Sequence, residues 1–446
     1  MPTRFTLYAF GSNGTGQLGI GSTQDKIHPP YRVPDPPPRP YEGIKSIRGG
    51  SGHTLILTDS GTVWGSGRHV DGRLGCYAVR RNGNTTHSDS STTLVLFEKI
   101  YEGISFIAVT ESTSGYILNP NTKYNETNNA LLYTEGMGSH GEHGRGKFIS
   151  NSCYGKEATP YPKVDQFRPT PVVRMSFPGA VVDFAAGLWH FIAVLDNGEV
   201  WGWGKNRHHQ LGQFESTDER TVDVWIPMKL PGISFSVRRA VCGKDFTYLV
   251  GDPDKGEHMV LGDDPNGVDS DKPTDVKGWK DIGASWGTIF VLFNDGALRG
   301  WGKSNQWVPV PENLPPIDKI AVGSEHILAL TSNGNRLISW GWGFHGNCGD
   351  LRKFPIEPPH GFISNTWIEI TEIPGHRDDI RMIAAGHSTS FVLTAEYESE
   401  VVGELDSQSD IDAEENVADA IGPRHGQVSP MAGKGDSETL KETEQR

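Results

Sequence analysis

Apolar residues return along this chain in short bursts, each closed by a polar-glycine turn. Ile327-Leu328-Ala329-Leu330 runs into Ser332-Asn333-Gly334, then into Ile338-Ser339-Trp340-Gly341-Trp342-Gly343 and Asn347-Cys348-Gly349. The same wording stands from Ala185 to Gly212. There Gly187-Leu188-Trp189-His190 leads to Asp196-Asn197-Gly198, Val200-Trp201-Gly202-Trp203-Gly204 and Gln210-Leu211-Gly212. It occurs again from Gly50 to Gly75. Such alternating stretches between Asp-Gly or Asn-Gly pairs predict short strands joined by tight hairpins. No helical period persists over three turns before residue 395, so the body is predicted to be nearly all β.

Each unit has two halves, one ending in Gly-x-x-His and an apolar run, the other reading apolar-Trp-Gly-x-Gly through Gln-Leu-Gly. The His slot recurs seven times, at His53, Thr113, His190, Phe246, Thr288, His326 and Thr389. Its intervals range from 38 to 77 residues, which fits a core unit of about 40 residues with the excess in loops. The second half recurs at Tyr8-Ala9-Phe10-Gly11 and near Trp64, Leu132, Trp201, Met259, Trp301 and Trp340.

The chain opens on a second half and closes on a first half (Ile383 to Leu393). An open stack would leave two raw sheet edges. Joining the two orphan halves instead completes a seventh blade and closes a β-propeller. Within the repeat, glycines allow backbones to converge near the axis. Trp64, Trp201, Trp301 and Trp340 are expected to pack between neighbouring blades. His53, His190 and His326 are expected to be buried imidazoles hydrogen-bonded to a neighbouring loop.

Composition divides the chain in two: a propeller over 1–396 and a disordered acidic tail over 397–446. Residues 396–446 hold 14 acids and 4 bases, most of the chain's net charge of −14. That text cannot bury a core. Four insertions interrupt the repeat, at Pro29–Pro40, Tyr77–Lys99, Asn119–Asn129 and Lys147–Pro178. No Lys/Arg run supplies the electrostatic footprint of a nucleic-acid binder. No apolar run suits a signal or a membrane span. Cys76, Cys153, Cys242 and Cys348 lie far apart, as suits reduced thiols.

The chemistry is sparse. Gly11-Ser12-Asn13-Gly14-Thr15-Gly16 and Gly202-Trp203-Gly204 follow strands, but no helix comes next to cradle a phosphate. His140-Gly141-Glu142-His143 has the composition of a metal pair without a third ligand nearby, and His208-His209 sits in a turn. No nucleophile–base order recurs, so no catalytic residue, metal or cofactor is expected. The two residues before each His slot should line one mouth of the ring. Among them Trp189, Trp286, Lys244, Asp245 and Glu325 combine aromatic area with charge, as a protein-binding hot spot does.

The paired half-motifs resemble the regulator of chromosome condensation repeat, which builds seven-bladed propellers, over roughly residues 7–396. Two blades depart from the pattern: Val109-Thr110-Glu111 replaces one glycine, and Met259-Val260-Leu261-Gly262-Asp263 lacks the tryptophan. The opening Tyr8 to Gly19 motif, the permuted closure and the lack of a basic tail are similar to the fungal alpha-tubulin suppressor propellers. That resemblance implies a non-enzymatic partner of a small zinc-binding electron carrier. The carrier serves diphthamide synthesis and Elongator-dependent modification of wobble uridines in tRNA, and it contributes its own zinc ligands. Such a chain is expected in cytoplasm and nucleus, monomeric outside its complex. The alternative implied by the family is nucleotide exchange on a Ran-like small GTPase.

Overall fold

The computed structural model describes residues 4–34, 42–69, 71–75, 93–119, 130–146, 177–214, 223–264, 267–302, 308–332, 336–373 and 380–396. The acidic tail, Cys76, Cys153 and most of the four insertions lie outside the described residues.

Seven antiparallel sheets follow one another along the chain. Their first strands are Ile44–Gly49, Ile104–Val109, Val181–Ala186, Arg239–Cys242, Trp279–Ala284, Ile317–Val322 and Ile380–Ala385. In each sheet the first strand pairs with the second, and the second with the third. Blades 1, 3, 6 and 7 carry a fourth, outer strand; blades 2, 4 and 5 have three strands among the described residues. Blade 7 closes the ring as the orphan halves require. Arg4–Gly11 pairs with Thr389–Glu396, in register from Arg4 opposite Glu396 to Gly11 opposite Thr389. No raw edge remains between the two ends of the repeat.

The second strands do not alternate. His53–Thr58, His190–Leu195 and His326–Thr331 are buried at every position. Each lies inside its sheet with neighbouring blades covering both faces, so Ile327 to Leu330 reads as one continuous apolar run. The core therefore sits between blades. Trp203 stacks on Phe191 and Phe184 at 5.4 and 6.1 Å, and its indole donates to the Glu142 carbonyl of the preceding blade at 2.9 Å. Trp301 likewise donates to the Val268 carbonyl of the blade before it, at 3.0 Å.

One backbone position fixes the register of all seven blades. Opposite each His-slot residue, within one residue of the end of the third strand, stands a glycine with positive φ: Gly67, Gly136, Gly204, Gly262, Gly302, Gly341 and Gly11. At Gly204 an added Cβ would lie 2.5 Å from the Trp189 carbonyl oxygen, so the site rejects a side chain on both conformation and space. Counting from this glycine corrects the expected tryptophan register. Trp301 and Trp340 occupy the same place as Trp203, opposite the residue after the His slot. Trp64 and Trp201 lie two residues earlier in their strands, opposite Ile56 and Ala193. Trp340 is fully buried, whereas Trp64 and Trp201 remain half-buried. Phe10 fills the Trp203 place in blade 7.

Candidate functional site

Each loop from first to second strand opens on one end of the ring. In it the His slot serves as a clasp. His53, His190 and His326 place Nε2 3.0, 3.0 and 2.9 Å from hydroxyls of the next blade, those of Ser114, Thr247 and Ser390. Each hydroxyl donates onward at 2.7 Å, to the carbonyls of Arg73, Gln210 and Asn347 respectively. Having spent its proton there, the hydroxyl accepts from the imidazole N–H. The ring folds back over the motif glycine: a Cβ at Gly187 would meet His190 Cε1 at 2.3 Å. Burial pushes His190 down to about 4 and His326 to about 3, and holds His53 well below the ordinary range. These imidazoles are neutral clasps between blades.

The mouth loops are also stitched to one another through their backbones. Ser51 N–H donates to the Glu111 carbonyl at 3.2 Å, and Glu111 to Leu188 at 3.0 Å. Lys244 donates to Trp286 at 3.0 Å, Trp286 to Ser324 at 2.9 Å, and Ser324 to Gly386 at 3.3 Å. Side chains carried here are therefore held on a fixed frame, which spares a partner the entropy of ordering them.

The five mouth residues named from sequence fall into two groups. Trp189 donates from its indole to Glu111 Oε2 at 2.8 Å and lies 4.1 Å beneath Lys205 Nζ. Lys205 in turn reaches Asp245 at 3.1 Å, and the His140 ring stands 5.7 Å from the Trp189 ring. Trp286 meets the His387 ring edge-on at 4.8 Å across the opening. Burial raises the Glu325 carboxyl, with Lys244 pulling the opposite way. Both tryptophans are half-buried, in contrast to the enclosed Trp203 and Trp340.

Sequence reading missed a third group beside the second. Trp342 stacks on Phe344 at 5.9 Å, His345 stands edge-on to both, and Lys26 Nζ sits 3.6 Å over the Phe344 ring. Phe344 is 47% exposed. The signal was present but looked like repeat text. Trp342 follows the positive-φ Gly341 and its N–H bonds to the Glu325 carbonyl at 2.7 Å, so it has already left the core. Lys205 holds the same place after Gly204, bonded to the Trp189 carbonyl.

The remaining candidates do not assemble. His208 and His209 are half-buried in their turn and face Asp263. Burial pushes Glu142 up to about 7 and His143 down to about 4. Among the described residues no three His, Cys, Asp or Glu side chains are grouped to hold a metal ion. Cys242 and Cys348 are free thiols, and no described helix is long and apolar enough to cross a membrane.

Comparison with known proteins agrees with this architecture. Two models of the regulator of chromosome condensation (RCC1) repeat match, one at residues 6–57 and 197–250, the other at 44–73, 181–210 and 317–347. An RCC1 repeat-containing protein of Schizosaccharomyces pombe is 24% identical over 401 residues, covering 87% of this chain and 99% of that protein. The secretion-regulating guanine nucleotide exchange factor of Mus musculus is 26% identical, covering 86% of this chain and 82% of its own length. Among solved structures, Prp20p from Saccharomyces cerevisiae superposes with a TM-score of 0.63 at 19% identity, covering 89% of this chain and 93% of that one. Human WBSCR16 gives 0.62 at 19% identity, covering 88% and 99%. The repeat, the register glycine and the closed ring agree with these matches: segments of the chain carry the RCC1 repeat, and its body has the seven-bladed fold of RCC1-type propellers.

Proposed function

We propose that the mouth face docks a folded protein partner and performs no chemistry of its own. The observation that carries this reading is the contrast between tryptophans. Trp203 and Trp340 fill inter-blade core, while Trp189 and Trp286 stand half-exposed on loops locked by backbone hydrogen bonds. Aromatic anchors in a charged surround, on a frame that needs no ordering, are what a hot spot requires. The partner in this reading is the small zinc-binding electron carrier of diphthamide synthesis and Elongator-dependent tRNA modification, met in cytoplasm and nucleus. The alpha-tubulin suppressor resemblance supports that choice.

Affinity capture of the tagged chain from its own cells tests it. The double variant Trp189→Ala, Trp286→Ala should lose a small zinc protein that the wild type retains, with an unchanged far-UV spectrum. A variant that keeps the partner, or a wild type that never retains one, refutes the reading. A second reading, nucleotide exchange on a small GTPase, draws on the similarity to the secretion-regulating guanine nucleotide exchange factor. Accelerated release of a fluorescent guanine nucleotide from the captured GTPase would establish it.

A further inference from the structure

Inside the mouth the first strands enclose an axial pit of about 340 Å³. Its width comes from small side chains. The place two residues beyond the His slot faces Ala108, Ala185, Val241, Gly283, Ala321 and Ala384 in blades 2 to 7. In blade 1 the same place, opposite Leu55, is Arg48. One blade out of seven thus puts a guanidinium where the other six carry small apolar residues, and two places earlier in the first strands Asp183, Arg239 and Asp281 add charge to the same pit.

The charges around Arg48 are already committed. Arg239 Nη1 bonds Asp281 Oδ1 at 2.5 Å. Asp183 accepts the backbone N–H groups of Phe184 and Ala240 at 3.0 and 2.9 Å. Arg48 lies within electrostatic reach of all three, yet no described carboxylate comes within ion-pair distance of it. Among the described residues its one hydrogen bond runs from Nη1 to the carbonyl of its own neighbour Ile47, at 3.1 Å. A guanidinium has five N–H donors in a planar fork that matches a carboxylate. Arg48 lines the pit and remains exposed to water there.

We propose that the axial pit is a binding site for one carboxylate group on a short apolar stem, clamped by Arg48. The small residues level with Arg48 leave room for the stem, and the guanidinium donates to the head. A singly charged carboxylate suits the pit better than a phosphate dianion, because Asp183 below and Glu111 at the rim repel added negative charge. The carboxylate can belong to a free organic acid or to an acidic side chain presented by a protein. This site stands on the pit alone and does not depend on the docking reading.

Cys242 is half-buried and lines the same pit, whereas Cys348 is buried; burial raises both thiols, so labelling is run at alkaline pH, where the Cys242 thiolate can form. Labelling of each thiol by iodoacetamide, a neutral reagent, is followed by peptide mass mapping of the full chain. Benzoate and a blocked tripeptide with a central glutamate serve as the two probes. Benzamide, which keeps the shape and lacks the charge, serves as control. At about ten times its dissociation constant an effective carboxylate should slow Cys242 labelling about tenfold. Benzamide should not slow it, and Arg48→Met should remove the protection while Cys348 stays unlabelled. Protection by benzoate alone assigns the site to free acids, and protection by the peptide alone to protein side chains. Equal protection by benzamide, equal protection in a folded Arg48→Met, or no protection by either carboxylate overturns the proposal. The benzamide comparison needs only wild-type protein, so it decides even where the variant fails to fold.

Discussion

Protonation of the interblade clasp should weaken the ring by a calculable amount. His326 is 1% exposed and donates from Nε2 to Ser390, and burial pushes its pKa down to about 3. In the unfolded chain the same imidazole titrates near 6.5. Above that value both states are neutral and the full stability is present. As pH falls below it, the unfolded state binds a proton that the folded state refuses, so stability is lost down to the folded pKa. Between pH 7 and pH 5 this one group costs about 2 kcal/mol. His53, His190 and Glu142 also titrate, but they do so in any variant that leaves them in place. The test is therefore a difference. His326→Gln removes the titration and keeps an N–H donor for the Ser390 hydroxyl. Scanning calorimetry of wild type and variant at both pH values should show the wild type losing ground to the variant on acidification. For a folded body of this size the differential is about 2–3 °C in melting temperature. Parallel losses in the two proteins would refute a neutral buried His326.

Two further outcomes separate the parts of the repeat. Gly204→Ala forces a Cβ to 2.5 Å from the Trp189 carbonyl in a positive-φ backbone. It should cost roughly 1–3 kcal/mol, read by urea unfolding, and a neutral substitution would contradict the register assigned here. Trp340→Ala should cost about 3–5 kcal/mol because the ring is fully buried. Trp342→Ala, on the half-buried ledge, should cost only about 1 kcal/mol. Equal losses at the two positions would place Trp342 in the core.

Most of the fold was legible because the repeat is a backbone requirement written seven times. Closure followed from the two orphan halves, and Arg4–Gly11 pairs with Thr389–Glu396 as those halves demand. The tryptophans misled for a physical reason. Alternate residues of a third strand face opposite ways, so a two-residue slip leaves the apolar pattern intact while exchanging one tryptophan place for another. Trp201 and Trp340 both precede a glycine in sequence, but only Gly341 has the positive φ that marks the register; in blade 3 that glycine is Gly204. Backbone conformation, not side-chain identity, carries the register. The same slip hid Trp342, which reads as repeat text and stands on the mouth face. Glu111 and Lys205 were illegible for another reason. Their importance lies in contacts to Trp189 that join different blades, and no local pattern records which blades the ring brings together. Arg48 is the converse case. It departs from the small residues at its six equivalents, but the departure becomes visible only once the register glycine has aligned the blades. A charged residue in a ring of alanines is weak evidence in sequence. It becomes chemical evidence when the alignment shows that six of the seven positions, Arg48 among them, line one pit.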